Sequence, residues 1–362
     1  MLKAIRYKSL GYTSFFNPDT GFFARVPDKG GKDPFWSPHG PELMDISITN
    51  WCDKGCSFCY KSSTKRGEHM ALDDYKGVVD QAAAMGTFQV ALGGGNPNQH
   101  PDFIEILEYT ASKGVVPNYT TNGRGLSDEI LDATRKHCGA VAISAYLPYD
   151  ETSKAINKLI RNGIKTNVHF ILDAVSIHTA IDWLNAPPEF LRGINAIVFL
   201  NYKPFGRKVF ERNLLRHSKR LEEFYRLAIS PQRKLKVGFD ACCVSGVFAY
   251  TNANTSMVDA CDAGRFSMYV SEDLKVYPCS FQSGLAEGDQ LDNETTLLDI
   301  WTKSRNMGKF RNHFSSDRCG PCSHRSACMN GCPLFEELVV CGNINIKINT
   351  DEEEPKNISQ QR

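Results

Sequence analysis

Between residues 42 and 209 the hydrophobic pattern switches repeatedly between strand and helix periods. ELMDISITN (42–50) puts Met44, Ile46 and Ile48 on one face and Asp45, Ser47 and Thr49 on the other, the alternation of a half-buried strand. LDDYKGVVDQAAAM (72–85) instead spaces Leu72, Tyr75, Val78, Val79 and Ala82 at helical intervals. The pattern continues with strands predicted over 87–93, 115–120, 140–145, 164–171 and 194–200. Helices are predicted between them over 102–113, 127–137, 151–162 and 176–186. Strands separated by helices pair in parallel, because only a long crossover can return the chain to start a second parallel strand. The expectation is an α/β fold, a partial (β/α)6 TIM-like barrel, with its chemistry at the C-terminal ends of the strands.

The rest of the chain divides around that unit. Residues 1–41 carry turn signals at NPDTG (17–21) and DKGGKDP (28–34), which predict an N-terminal extension of short strands and loops. The barrel is expected over 42–209, and a polar helical connector over 210–235, with its helix ending near 231. From about 236 the βα rhythm is expected to stop, and cysteines accumulate at 242, 243, 261, 279, 319, 322, 328, 332 and 341. This predicts a second, metal-organised domain over 236–342. The polar, acidic tail 343–362 is expected to be disordered.

Charge and cysteine count narrow the chemistry. With 42 basic and 41 acidic residues the net charge is +1, so nothing draws the chain as a whole to nucleic acid or an anionic membrane. MLKAIRYKSLGYTSFF lacks the apolar core of a secretory signal, and no run approaches the roughly 20 apolar residues that span a bilayer. A cytoplasmic location is expected. In a reducing compartment, 13 cysteines read as metal ligands or catalytic thiols before disulfides, and an odd number fits disulfides poorly.

NWCDKGCSFCY (50–60) brings Cys52, Cys56 and Cys59 together where the first barrel strand ends. A structural zinc site closes with four protein ligands, so a zinc reading needs a distant partner such as His69 or His100. Three thiolates suit a cubane iron–sulfur cluster in which one iron stays open to a small molecule. The spacing C-x3-C-x2-C, with Phe58 before the last cysteine, resembles the radical S-adenosylmethionine (radical SAM) superfamily. The resemblance implies a [4Fe–4S] cluster on Cys52, Cys56 and Cys59, with SAM chelating the fourth iron. SAM would be cleaved to methionine and a 5′-deoxyadenosyl radical, which takes hydrogen from a substrate.

Other segments follow the same family in order. In QVALGGGNPNQHPDF (89–103), Gly93 and Gly94 match the Gly-Gly-Glu-Pro motif that holds the SAM amino group, while Gly95 replaces its acid. The absence of a following Gly-Lys-Ser/Thr rules out a phosphate loop there. YTTNG (119–123) brings Asn122 to a strand end, and VAISAYL (141–147) offers Ser144 toward the ribose. Lys154 stands where relatives carry an Arg facing the methionine carboxylate, although Lys cannot bind bidentately. NVHFIL (167–172) puts Asn167 and His169 on the adenosine side, and FLNYKPFGR (199–207) resembles the sixth-strand segment. For each of these polar residues, a capping or hydrogen-bonding role competes with a ligand role.

The C-terminal cysteines resemble the SPASM domain of radical SAM peptide and protein maturases. DRCGPCSHRSACMNGC (317–332) reads C-x2-C-x5-C-x3-C with Cys341 after it, and CDAGRFSMYVSEDLKVYPC runs from Cys261 to Cys279. Leu274 stands where that family has Gly. The resemblance implies one auxiliary [4Fe–4S] cluster on Cys319, Cys322, Cys328 and Cys341. It implies a second on Cys261, Cys279, Cys332 and an upstream cysteine, for which Cys242 is chosen over the adjacent Cys243. Cys138, at a helix end, is read as a small buried hydrophobe.

The expected activity is that of a radical SAM oxidoreductase acting on a peptide or protein, by crosslinking, epimerisation or oxidation. Ser280 replaces the Asp that sulfatase maturases carry after their matching cysteine, which argues against formylglycine formation. The extension 1–41 is shorter than a leader-binding domain, so leader recognition is expected to need a separate protein or another surface. A one-electron reductant such as flavodoxin or ferredoxin is expected as well. The alternatives are a small-molecule radical dehydrogenase or cofactor-building enzyme, and a non-catalytic electron-transfer protein. No residue declares itself a catalytic acid or base; Tyr146, Tyr202 and Asp240 are available.

Overall fold

The computed structural model describes residues 2–32, 34–255 and 258–341; the tail expectation therefore lies outside the described residues. Three short strands open the chain, β1 (Lys3–Tyr7), β2 (Tyr12–Phe16) and β3 (Phe23–Pro27), paired antiparallel in that order. Tyr12 and Phe16 are buried beneath them. Arg25 anchors this sheet to the main body. It pairs with Glu42 at 2.6 Å and Asp262 at 3.2 Å, and its guanidinium lies 3.6 Å from the centre of the Phe266 ring.

The βα alternation appears as β4 (Leu43–Thr49), α1 (Leu72–Ala84), β5 (Gln89–Gly94), α2 (Phe103–Ser112), β6 (Val116–Thr121) and α3 (Asp128–His137). It continues through β7 (Val141–Ser144), α4 (Asp150–Arg161), β8 (Thr166–Leu172), α5 (Ile177–Asn185) and β9 (Ala196–Asn201). All six strands are parallel and adjacent. Met44, Ile46 and Ile48 are fully buried, as are Tyr75, Val79 and Ala82 of α1 in the same core cluster. The period-2 rule then sends Asp45, Ser47, Asn118, Ser144, Asn167 and His169 to the barrel interior. That interior is polar, as a site rather than a packed core requires.

Two expectations are corrected. The connector contains one helix, α6 (Leu221–Ile229), and residues 203–220 before it form a loop with two short turns. Helical periodicity there is overridden by side-chain anchors described below. The βα rhythm also does not stop at 236: β10 (Val237–Phe239) pairs parallel to β9 and is followed by α7 (Val244–Tyr250). At the opposite edge, β11 (Ser267–Val270) pairs parallel to β4 and leads into antiparallel β12 (Lys275–Tyr277) and β13 (Asp289–Gln290). Among the described residues, the C-terminal segment thus extends both edges of one ten-stranded sheet. α8 (Leu297–Lys303), α9 (Arg305–Ser315) and α10 (Arg325–Cys328) complete the chain. In the β11–β12 turn, Leu274 has φ +60°, the left-handed conformation for which glycine carries no Cβ penalty. No helix among the described residues is long and apolar enough to cross a membrane.

Candidate functional site: a barrel mouth ringed by cysteines

β4 delivers Trp51 and Cys52 directly to the C-terminal rim of the barrel. Cys52 N donates to Thr64 O at 3.0 Å, Cys59 N to Cys56 O at 3.3 Å, and Gly55 turns the loop at φ +68°. Cys52, Cys56 and Cys59 are all half-buried. Burial pushes the Cys56 thiol up, the neighbouring Cys59 and Cys52 add to the push, and Lys54 opposes it. Mutual repulsion of this kind is relieved when a metal takes the thiolates. Phe58 packs on Tyr146 with ring centres 5.4 Å apart, covering one side of the loop. Tyr60 stacks at 4.5 Å on Phe281, two residues after Cys279.

The glycine run lies against this loop. Gly95 N donates to Thr49 O at 2.7 Å and Asn96 N to Trp51 O at 2.9 Å. A Cβ on Gly94 would stand 2.1 Å from Thr49 O, and one on Gly95 would stand 2.0 Å from Trp51 O. No acid could occupy position 95 without moving the strand that carries the cysteines. Counting back from Pro97 puts Asn96 at the acid position of Gly-Gly-Glu-Pro, a signal in the sequence that the count from Gly93 overlooked. Asn96 is fully buried, and its Oδ1 accepts from Thr121 Oγ1 at 2.8 Å and Asn122 N at 3.0 Å. Asn98 accepts from the same Thr121 hydroxyl at 2.6 Å. These bonds shape the turn after β6, from which Asn122 Nδ2 donates to Cys52 Sγ at 3.7 Å.

Charges frame the rim. Arg124 pairs with Glu151 at 2.7 Å and approaches Asp53 at 3.7 Å, and Lys54 pairs with Glu151 too. Hydrogen bonds from Arg124 and then Lys54 hold the Glu151 carboxyl down at about 2. Lys154 is exposed on α4; Lys54 and Arg124 stand at the cysteine loop, and Arg207 donates to Cys56 O there at 3.0 Å. Ser144 sits beside His169 in the β7–β8 register. Burial drives the His169 imidazole down to about 4, with Asp240 opposing, so it stands neutral inside the barrel. Asn167 accepts from Asn195 at 2.8 Å. Burial raises Asp45 to about 6.

The remaining cysteines fall into two sets. Cys242 and Cys332 are hydrogen-bonded to each other, and that bond holds the Cys332 thiol down. Cys261 lies within electrostatic reach of Cys242 and Cys279. Cys243 turns the other way: it is buried, and its thiol donates to Phe199 O at 3.7 Å. Cys319, Cys322, Cys328 and Cys341 line a cavity of about 310 Å³ beside α7 and α10. Burial raises the Cys328 thiol to about 11, and Cys341, Cys319 and Cys322 raise it further. Among the described residues, no three His, Cys, Asp or Glu side chains converge on a point that one ion could fill. His69 and His100 do not complete a zinc site. His69 Nδ1 shares a 2.8 Å hydrogen bond with Thr49, and His100 Nε2 shares one of 2.9 Å with Met70 O. Cys138 packs against the core at the end of α3.

The available residues are all engaged structurally. Tyr202 accepts from Phe210 N at 2.9 Å, and Tyr146 is packed on Phe58. Asp240 is paired with Lys203. Burial alone would lower that ammonium, but Asp240 and then Cys242 hold it above its ordinary range.

Comparison with known proteins gives two family matches. Residues 46–176 match the family model described as the radical SAM superfamily, and residues 261–333 match SPASM, an iron–sulfur cluster-binding domain. Mycofactocin maturase MftC of Mycolicibacterium smegmatis is 22% identical over 81% of this chain and 78% of its own. AdoMet-dependent heme synthase of Methanosarcina barkeri is 23% identical over 81% of this chain and 91% of its own. Among solved structures, Streptococcus suis SuiB bound to precursor peptide SuiA has the same fold. Its TM-score is 0.66 and its identity 18%, over 84% of this chain and 76% of that one.

Proposed function

We propose that this chain, which belongs to the radical SAM superfamily and carries a SPASM iron–sulfur domain, is a maturase that abstracts hydrogen from a peptide substrate. One observation carries the reading. Among the described residues, three half-buried thiols stand at the C-terminal end of β4 with no fourth His, Cys, Asp or Glu completing a metal site beside them, while eight further cysteines gather in two sets of four.

In this reading Cys52, Cys56 and Cys59 hold the [4Fe–4S] cluster whose open iron takes SAM. Cys242, Cys261, Cys279 and Cys332 hold one auxiliary cluster, and Cys319, Cys322, Cys328 and Cys341 the other. Once bound, the first cluster supplies the electron that cleaves SAM and so generates the 5′-deoxyadenosyl radical. The chain's own residues orient and shield. Backbone carbonyls of the Gly93–Gly95 run receive the SAM ammonium, and Asn96 fixes the turn that aims Asn122 at Cys52. Ser144 and neutral His169 offer hydrogen bonds to the nucleoside, and Phe58 with Tyr146 keeps water from the loop. The proposed divisions are an N-terminal unit to 41, a barrel over 42–209, a connector to 235 and the cluster domain over 236–342.

A peptide substrate is supported by the maturase name of MftC and by the precursor peptide bound to SuiB. The heme synthase match favours a second reading, a small-molecule substrate. Two auxiliary quartets fit the first reading where the peptide is crosslinked or oxidised, since the product radical then loses an electron that an auxiliary cluster would accept; epimerisation, which ends in return of a hydrogen atom, does not need them. A separate leader-binding protein, a flavodoxin- or ferredoxin-like reductant and a cytoplasmic setting belong to the same proposal. The test is co-expression with short peptides encoded beside the gene, followed by mass spectrometry. A peptide lighter by about 2 Da marks crosslinking, and a mass unchanged in ordinary water but raised by about 1 Da in deuterated water marks epimerisation. Peptides that remain unmodified, beside a modified small molecule, would establish the second reading instead.

A further inference from the structure

The loop between β9 and α6 concentrates positive charge in a chain whose net charge is only +1. KPFGRKVFERNLLRHSKR (203–220) holds seven Lys or Arg against one acid, Glu211. Three of the seven are committed. Lys203 pairs with Asp240, and Arg220 pairs with Glu223 at 2.8 Å. Arg207 donates to Cys56 O at 3.0 Å and to Ser63 O. Among the described residues, Lys208, Arg212, Arg216 and Lys219 make no ion pair, and Lys208, Arg212 and Lys219 are exposed. The nearby acids Glu222 and Glu223 are occupied by Arg226 and Arg220.

The loop is a strap across the barrel rim. At one end Arg207 N donates to Cys59 O at 2.9 Å, joining it to the three-cysteine loop. In the middle Phe210 N donates to Tyr202 at 2.9 Å. At the far end Asn213 O accepts from Ala174 N at 2.9 Å and Asn213 Nδ2 donates to Asp173 at 3.0 Å, joining it to the end of β8. Large apolar side chains stand exposed along the same rim. Leu147 after β7 is 77% exposed, Val175 after β8 is 64% and Val209 within the strap after β9 is 43%, in the segments that follow three neighbouring strands. Free cations interleaved with open aliphatic groups, beside the mouth of a reactive site, match a ligand carrying both carboxylates and apolar side chains.

We infer that the strap 203–220, with Val175 and Leu147, is the docking surface for an acidic, aliphatic segment of the peptide substrate. This rests on the peptide-maturase reading and adds where the peptide lies and what chemistry it presents. Its anchors at Arg207, Phe210 and Asn213 tie the strap's backbone to the three-cysteine loop and to the end of β8, so a segment bound there lies beside Cys56 and Cys59.

The probe is a fluorescein-labelled decapeptide alternating Glu and Leu, with a Lys/Leu decapeptide as counterpart, followed by anisotropy on the reconstituted protein. Wild type binds the Glu/Leu peptide and not the Lys/Leu one, and the affinity falls as salt rises. Lys208→Glu/Arg212→Glu/Lys219→Glu weakens Glu/Leu binding by about tenfold or more. Val175→Asp with Val209→Asp weakens it separately. If the triple reversal loses its clusters, Lys208→Gln/Arg212→Gln/Lys219→Gln serves, with a smaller loss of about threefold expected. Equal binding of the two peptides, or Glu/Leu binding indifferent to these changes, overturns the docking surface. SAM cleavage without peptide is read separately, so failure of the radical SAM reading would register there and not in the anisotropy.

Discussion

Arg207 Nη1 donates to the Cys56 carbonyl oxygen at 3.0 Å, so a residue at the end of the sixth barrel strand holds the loop after the first. The same guanidinium reaches Ser63 O, and Gly206 beside it lies so close that a Cβ would stand 2.5 Å from Cys59 O. Arg207→Ala removes two charge-assisted bonds, each worth about 1.5–3 kcal/mol. Iron per reconstituted chain is expected to fall from about 12 toward about 8, because the loss is confined to the first cluster. Arg207→Lys, which cannot fork to both carbonyls, should recover part of it.

Gly95→Ala should be more damaging than its size suggests. The added carbon would stand 2.0 Å from Trp51 O, so β5 and the segment leading to Cys52 cannot both keep their places. Overpacking of this kind costs about 1–3 kcal/mol in a core, and more against backbone. Thermal unfolding should show the loss, and SAM cleavage should fall with it. Asn96→Asp, at the acid position counted from Pro97, should fold less well than wild type, since Asn96 Nδ2 donates to Arg124 O at 3.2 Å and a carboxylate cannot.

The adjacent Cys242 and Cys243 should separate cleanly. Cys242→Ala opens the quartet with Cys332, Cys261 and Cys279, and iron analysis should read about four fewer iron atoms per chain. Cys243→Ala should keep its iron and cost about 1 kcal/mol in unfolding free energy, the effect of trimming a buried thiol.

How far the sequence could be read depends on what kind of contact fixed each part. Met44, Ile46 and Ile48 announced β4 because their burial is periodic, and C-x3-C-x2-C announced a three-thiolate site because the ligands are local. Residues 210–220, expected to be helical, form instead a loop held by single long-range bonds such as that from Asn213 to Asp173, which leave no periodic trace. The pairing of β11 with β4 joins residues more than two hundred positions apart, and no local pattern carries that. Asn96 was legible through Pro97 but was hidden by counting from the glycines. Gly at the position of Leu274 is a family preference whose cause, a positive φ, is visible only in the backbone.

His169 gives the protein an acid-side liability. Its folded pKa of about 4 lies below the ordinary histidine value of about 6.5, so the native state binds fewer protons than the unfolded chain between those values. Stability is unaffected above pH 6.5, falls as pH drops through the window and levels off below pH 4. Between pH 6.5 and 5 the slope amounts to at most about 2 kcal/mol. Denaturant unfolding of wild type and His169→Gln should converge as pH falls across that range, since the variant lacks the titrating group.

The central claim is that Cys52, Cys56 and Cys59 hold the iron–sulfur cluster that cleaves SAM. Anaerobically reconstituted wild type, reduced with dithionite and given SAM, should release 5′-deoxyadenosine and methionine in equal amounts, and Cys56→Ala should release neither. Release by Cys56→Ala at the wild-type rate would contradict the account.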